Sequence, residues 1–434
     1  MLKVSAIAIC FSLCSAQAIA QEESPFELHA QSTYLRQYKN AFDAPYSGTN
    51  SLRASRESSY TFTGTLYIAA RLGDATEAYL NPEIIQGVPF SGLHGLGGFT
   101  NGEMQRGAGP ELKGYTARFF LRHTWNLGGD YEAEESGQNQ LKTRYAGERV
   151  VLTAGIISLL DVFDAMDYSR DARTQFMNWA SLTYGAWDFP ADARGYTRGV
   201  ALEYITAGWQ ARAGRFLVPV ESNGLRLDGK ITQHYGDVAE FELPYRLAGH
   251  AAVARALAFH NRVDAGSYND AIALGSATGS VPDLTQVRRT QSKYGFGLST
   301  QVEFTDAIGA YARAGWSDGR TETFMYAEID RSLAAGALVK GSGWARPQDS
   351  AGIAVYLNGL SRAHRNYLAD GGLGFFLGDG RLNYGSERIA ETYYSLNVAR
   401  AVWFSLGLQR AVNPGYNRDR GPANFLGLRL HAEI

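Results

Sequence analysis

Between Tyr294 and Phe304 apolar and polar positions alternate without a break. Tyr294, Phe296, Leu298, Thr300, Val302 and Phe304 fall on one face, and Gly295, Gly297, Ser299, Gln301 and Glu303 on the other. Around Asp306 the chain reverses, and Ile308, Ala310, Ala312, Ala314 and Trp316 alternate with Gly309, Tyr311, Arg313 and Gly315. A period of two marks a strand with one dry and one wet face. Alone, such a hairpin fits a soluble sandwich as well as a membrane barrel. Its strands of about ten residues are long enough to cross a bilayer when tilted, so the rest of the chain decides.

The pattern recurs at Phe26–Tyr38, Tyr60–Arg71, Thr76–Ile84, Tyr115–Leu127, Arg144–Ile157, Tyr196–Thr206, Gly208–Leu217, Gly236–Leu247 and His250–Arg262. After the hairpin it returns at Ile329–Gly341, Gln348–Gly359, Ile389–Val398, Ala401–Val412 and Gly421–Ile434. Within Tyr115–Leu127, strict alternation puts Tyr115, Ala117, Phe119 and Leu121 opposite Arg118 and Arg122. The connections run long, short, long, short, as when one rim of a barrel carries periplasmic turns and the other extracellular loops. Residues 127 to 143 are too long for a tight turn and belong on the periplasmic side by order alone. The fold expected is all-β: a transmembrane antiparallel up-and-down β-barrel of about 16 strands, with short periplasmic turns and long extracellular loops. In hydrocarbon every backbone donor and acceptor must be paired within the protein, which a closed barrel achieves. About 16 strands leave an interior too wide for side chains to fill, hence an aqueous lumen. Inward glycine and serine fit that reading by leaving room for water.

Composition supports one barrel. The 434 residues include 49 Gly, 25 Tyr and 21 Phe but 12 Pro, a mix suited to pleated strands with aromatic girdles. Mean hydropathy is slightly negative. Lys3, the run VSAIAICFSLC and Ala18-Ile19-Ala20 make residues 1–20 a secretory signal peptide, leaving 21–434 as one barrel domain. Cys10 and Cys14 are the two cysteines, and both lie in that segment. The mature chain therefore has no thiol for a disulfide, a nucleophile or a metal site. Without Lys3, 40 basic residues face 43 acidic ones, a net of −3, which gives no support for nucleic-acid binding.

Candidate chemistry follows from the wet faces, which carry Arg118, Arg122, Glu203, Arg212, Glu240, Glu242, Glu303 and Arg313. Of these, Arg313 and Glu303 are expected to be most visible to a passing solute. The longest connection, about residues 158 to 195, carries Trp179, Tyr184, Trp187, Asp188, Asp192 and Arg194. A loop of such length is uncommon unless functional. Part of it is expected to fold inward, with Trp187 as a stacking surface and Asp188 and Arg194 as hydrogen-bonding groups for a passing solute. The constriction candidates are thus Trp187, Asp188, Arg194, Arg118, Glu203, Arg313 and Glu303. An enzyme on a barrel would need an aligned nucleophile and base. No Gly-x-Ser-x-Gly or His-Glu-x-x-His accompanies the eight histidines, so a non-enzymatic protein with no cofactor and no metal is expected.

The run from Ala314 to Ser395 (AGWSDGRTETFMYAEID…ERIAETYYS), with FMNWASLTYGAWDFPADARGYTRGVALEY from Phe176 and NPGYNRDRGPANFLGLRLHAEI from Asn413, resembles the carbohydrate-selective porin family (OprB type) of Gram-negative outer membranes. The resemblance spans roughly residues 55 to 434. It implies a sixteen-stranded bacterial outer-membrane barrel through which small sugars diffuse passively. Its partners would be the outer-membrane lipid and the barrel-assembly machinery, met through the C-terminal strand. One departure is Ile434, where the family usually ends in Phe. A general or anion-selective diffusion porin is the alternative, since the barrel pattern does not distinguish solutes. Contacts between barrels use lipid-facing residues that carry no distinct signature, so the pattern fixes no oligomeric state.

Overall fold

In the computed structural model, which describes residues 24–105 and 107–434, the chain closes into a barrel of 16 antiparallel strands. In chain order they are β1 (Phe26–Lys39), β2 (Glu57–Gly73), β3 (Thr76–Val88), β4 (Lys113–Glu134), β5 (Thr143–Ile157), β6 (Thr197–Ile205), β7 (Gln210–Phe216) and β8 (Tyr235–Leu247). They continue with β9 (His250–Ala265), β10 (Arg289–Thr305), β11 (Ile308–Ser317), β12 (Arg331–Lys340), β13 (Ser350–Gly359), β14 (Glu387–Ala399), β15 (Val402–Val412) and β16 (Ala423–Glu433). Each strand pairs with its neighbours in sequence. β1 pairs with β16 in a register from Gln31↔Glu433 to Lys39↔Phe425, which leaves no open edge. The expected signal peptide lies outside the described residues.

The connections alternate as the sequence implies. Residues 74–75, 248–249, 306–307 and 400–401 are tight turns on one rim, while 89–112, 158–196, 266–288 and 360–386 are long excursions on the other. The difficult stretch 127 to 143 resolves itself, because β4 continues to Glu134 and leaves only 135–142 as a connection. Among the described residues three α-helices sit in the long excursions: α1 (Trp179–Leu182), α2 (Tyr268–Thr278) and α3 (Arg362–Ala369). Ser267 caps α2 by accepting from Asp270 N, and Ser361 caps α3 by accepting from His364 N. The Tyr268 and His364 rings stack at 4.3 Å.

The opening hairpin faces as its alternation predicts. Tyr294, Phe296 and Leu298 are exposed on the outer wall, and Gly295, Gly297, Ser299 and Gln301 are buried on the inner one. Parity breaks in β4. Asn81 pairs with Arg118 but Pro82 pairs with Thr116, so Ala117 is the extra residue of a β-bulge and is fully buried. Proline has no N–H to give the ladder, and bulges accommodate such a residue. Tyr115 therefore points inward with Arg118, against the expectation that it shares the outer face of Phe119 and Leu121.

The interior is not simply water. Segment 158–196 enters the barrel, and Phe163, Met166, Phe176, Met177, Trp179, Tyr184 and Trp187 are all buried there. It seats itself on the inward glycines. A Cβ on Gly297 would lie 2.6 Å from the Tyr184 ring, and one on Gly309 would lie 2.0 Å from the Tyr168 ring. These glycines make room for aromatic rings of the inserted segment, not for water as the pattern suggested. Close packing of this kind tolerates no extra carbon.

Candidate functional site

The strands beside the inserted segment divide the inner wall into two unlike halves. Over β8, β10, β11, β14 and β16 the wall's polar side chains serve as fasteners. Arg313 on β11 donates to the carbonyls of Ser169 (2.6 Å) and Ser181 (2.9 Å) and lies 3.0 Å from Asp164 Oδ2. Arg429 on β16 donates to the carbonyls of Ala172 (2.7 Å), Gln175 (2.8 Å) and Thr174 (3.0 Å). Glu391 on β14 accepts from Met177 N (2.6 Å), and Glu240 on β8 accepts from Asp164 N (2.8 Å). Each satisfies a backbone group that insertion has taken from solvent, which is why charges are tolerated at these depths.

Along β2 to β6 the wall differs. The inserted segment reaches it through two ion pairs. Arg118 on β4 grips Asp161 through two parallel bonds of 2.7 Å, the planar fork that guanidinium and carboxylate share. Arg173 of the segment donates to Glu103 (2.8 Å), Glu83 on β3 (3.0 Å) and Thr65 on β2 (3.2 Å). Tyrosine rings lie between these charges. Arg118 sits over the Tyr196 ring at 5.3 Å and Arg194 over the Tyr115 ring at 4.6 Å, and the two rings are 6.0 Å apart. Tyr115 donates to Glu83 Oε1. Nearer the short-turn rim a further layer holds Arg71, Glu77 and Arg122, paired by register, with the Tyr145 hydroxyl 3.1 Å from Glu77.

Exposure separates the halves. The side chains of Arg118, Asp161, Arg122 and Arg194 keep 14, 18, 18 and 29% of their surface, against 1% for Arg313 and 0% for Asp164. Of these paired groups, the more open ones lie on the β2–β6 side. At the long-loop rim, Tyr115, Asp192, Arg194, Tyr196, Leu225 and Arg226 enclose a pocket of about 330 Å³. Leu225 and Arg226 also line a larger vestibule of about 660 Å³ with Arg288, Glu322 and Phe375. At the opposite end a cavity of about 500 Å³ lies between Tyr168, Tyr245, Arg246, Gln301 and Glu303.

The seven residues singled out from sequence thus separate. Arg118 and Arg194 meet on the open face, and Glu303 lines the short-turn cavity. Glu203 pairs with Arg212 at 2.9 Å, beside Glu240 and Glu242. Arg313 is a fastener of the inserted segment, not a charge met by solute. Trp187 is buried with its ring against Phe163 and Phe189, so it has no free face for stacking. Asp188 is buried as well, 3.1 Å from Lys293 and accepting from Met325 N at 2.7 Å. Sequence reasoning passed over Asp161, Arg173, Glu83, Tyr115 and Tyr196. Pro82 was the available signal for Tyr115, because it foretells the bulge.

The sequence model described as "Carbohydrate-selective porin, OprB family" matches residues 49–433. Among solved structures, the high-pH structure of Pseudomonas putida OprB superposes with a TM-score of 0.68 at 15% identity, covering 94% of both chains. Its low-pH structure gives a TM-score of 0.50 at 12% identity, covering 94% of this chain and 93% of that one. The outer-membrane channel DcaP of Acinetobacter baumannii also gives 0.50, at 10% identity over 96% of this chain and 100% of its own. No curated protein sequence matches significantly. The structural likenesses show the barrel fold, and the family match, over most of the chain, shows the family: the chain belongs to the OprB family of carbohydrate-selective porins of the outer membrane.

Proposed function

We propose that sugars cross this channel along the β2–β6 face and that selectivity arises where Arg118, Asp161, Arg173 and Glu83 stand beside Tyr115 and Tyr196. The observation that carries the reading is that Arg118 and Arg194, both partly exposed, lie over the Tyr196 and Tyr115 rings on that face. A pyranose has an apolar face and a rim of hydroxyls. Aromatic faces suit the first, while fixed donors and acceptors suit the second. Because each arginine is matched by a carboxylate, the site offers both donors and acceptors with little net field, as a neutral solute requires.

This reading moves the stacking role from Trp187 to Tyr115 and Tyr196, and keeps Arg118 and Arg194 as hydroxyl partners. Glu303 would meet the solute again near the periplasmic mouth. The chain is read as a channel without catalytic chemistry, exported through a cleaved segment at residues 1–20. Assembly is read as starting from β16, whose pairing with β1 closes the barrel.

Planar-bilayer recording of glucose block of the ion current tests the site. Tyr196→Ala and Arg118→Gln should each weaken block, the latter by about ten- to 150-fold if a charge-assisted hydrogen bond worth about 1.5–3 kcal/mol is lost. Unchanged block in both variants would remove this face from the sugar path.

A further inference from the structure

On the outer wall, the strands β10 to β15 curve around a groove of about 930 Å³. Its floor carries Ala312, Ala335 and Ala390, and Leu298 and Leu357 stand at its sides. Small side chains flanked by large ones give a concave apolar channel. Hydrocarbon meets this wall in any porin, so the groove alone selects nothing.

Its upper end does. Arg388 is the second residue of β14 and Arg410 the third from the end of β15, so both lie at the extracellular end of the groove, and both line it. The register Arg388↔Val412 and Ala390↔Arg410 sets them diagonally on adjacent strands. Both are exposed on the lipid-facing side, opposite in parity to buried Glu387, Ile389, Gln409 and Ala411. Arg410 donates to Asn424 at 3.2 Å, and among the described residues neither arginine has a carboxylate partner within ion-pair distance. Arg198 and Arg262 are likewise exposed at the extracellular ends of β6 and β9.

We propose that this groove binds a phosphate-bearing, acylated lipid of the outer leaflet, with an acyl chain along the alanine floor and its phosphate between Arg388 and Arg410. Two cations at headgroup depth above an apolar channel match the two halves of such a lipid. A guanidinium fork binds phosphate through paired hydrogen bonds. A second copy of the chain fits less well, since it would bury two arginines that have no carboxylate within ion-pair distance among the described residues.

The test is titration of the folded, detergent-purified full chain with diphosphorylated lipid A, with bound lipid read by native mass spectrometry. Loss of about 1 kcal/mol of anionic-lipid attraction per arginine corresponds to roughly thirtyfold weaker binding for the double variant Arg388→Gln/Arg410→Gln. Dephosphorylated lipid with the same acyl chains should bind the wild type as weakly. Ala335→Phe, which fills the floor and keeps both arginines, should also reduce binding. Retained sugar-dependent conductance will certify that each variant is folded. Inorganic phosphate at millimolar concentration should not compete; if it does, the arginines form a free-anion site and the lipid assignment fails. Equal lipid binding by wild type and double variant also overturns it. So does efficient disulfide-linked dimer formation by Ala335→Cys, a clean probe in a chain whose other cysteines are Cys10 and Cys14, because a second copy would then occupy the groove.

Discussion

Truncating Arg313 to alanine separates two views of this side chain. As a solvated pore-wall charge it would set ion preference and little else. In the structure its guanidinium holds Asp164 at 3.0 Å and the carbonyls of Ser169 and Ser181 at 2.6 and 2.9 Å, with 1% of the side chain exposed. Removal leaves the Asp164 carboxylate, which still accepts from Thr183 Oγ1 at 2.8 Å, and two carbonyls without their cation. Breaking a buried pair by deleting one partner costs about 3–5 kcal/mol. All three partners belong to segment 158–196, so the cost falls on its docking and not on the strand ladder. At 3 kcal/mol the ratio of docked to released segment drops by about 150-fold. Single-channel recordings of Arg313→Ala should therefore show frequent excursions to higher conductance, while urea unfolding of the barrel stays close to wild type. Steady single-level conductance combined with an altered ion preference would refute the reasoning.

Other perturbations follow from the same geometry. Gly297→Leu drives carbon into the Tyr184 ring, 2.6 Å from the first added atom, and should cost about 1–3 kcal/mol of segment docking, visible as protease nicking near residue 184. Leu298→Arg, one residue on but facing lipid at 54% exposure, should instead cut the folding yield into bilayers, by about 2–4 kcal/mol if it sits near the midplane. On the extracellular side, His364 in α3 lies 3.0 Å from Asp330. Burial disfavours the imidazolium, but the neighbouring Asp330 outweighs it and raises the His364 pKa above 6.5. Asp330 is likewise opposed by burial, yet His364 holds its pKa down to about 2, from 3.8. The His364 contribution is full below pH 6.5 and is lost as pH rises through its raised value. That of Asp330 is full above pH 3.8 and is lost as pH falls through about 2. Protection factors for amide exchange in α2 and α3, corrected for the intrinsic pH dependence of exchange, should thus be highest between about pH 4 and 6.5, and His364→Gln should flatten the profile.

The barrel was legible because hydrocarbon enforces alternation over its whole height. In Tyr294–Gln301 and in β16 from Ala423 to His431, buried and more open residues follow the period of two residue by residue. The inner half of the site was not legible, since inner polar residues read alike whether they face water or a folded-in loop. Arg313 and Arg118 occupy equivalent inward positions on their strands. Only the path of segment 158–196 makes one a buried fastener and the other an open wall charge. Trp187 and Asp188 are buried for a related reason. Their loop does enter the barrel, but with Phe163, Phe189 and Lys293 already covering them. Tyr115 was hidden by parity, which the bulge at Ala117 resets.

Liposome swelling tests the central claim most directly. Purified protein is reconstituted and challenged with glucose, disaccharides and amino acids matched in size. A carbohydrate-selective wall of paired arginines and tyrosines predicts faster swelling with sugars than with amino acids of equal size, and a loss of that difference in Tyr196→Ala. Equal rates for all solutes of one size in the wild type would contradict the account and leave a general diffusion pore.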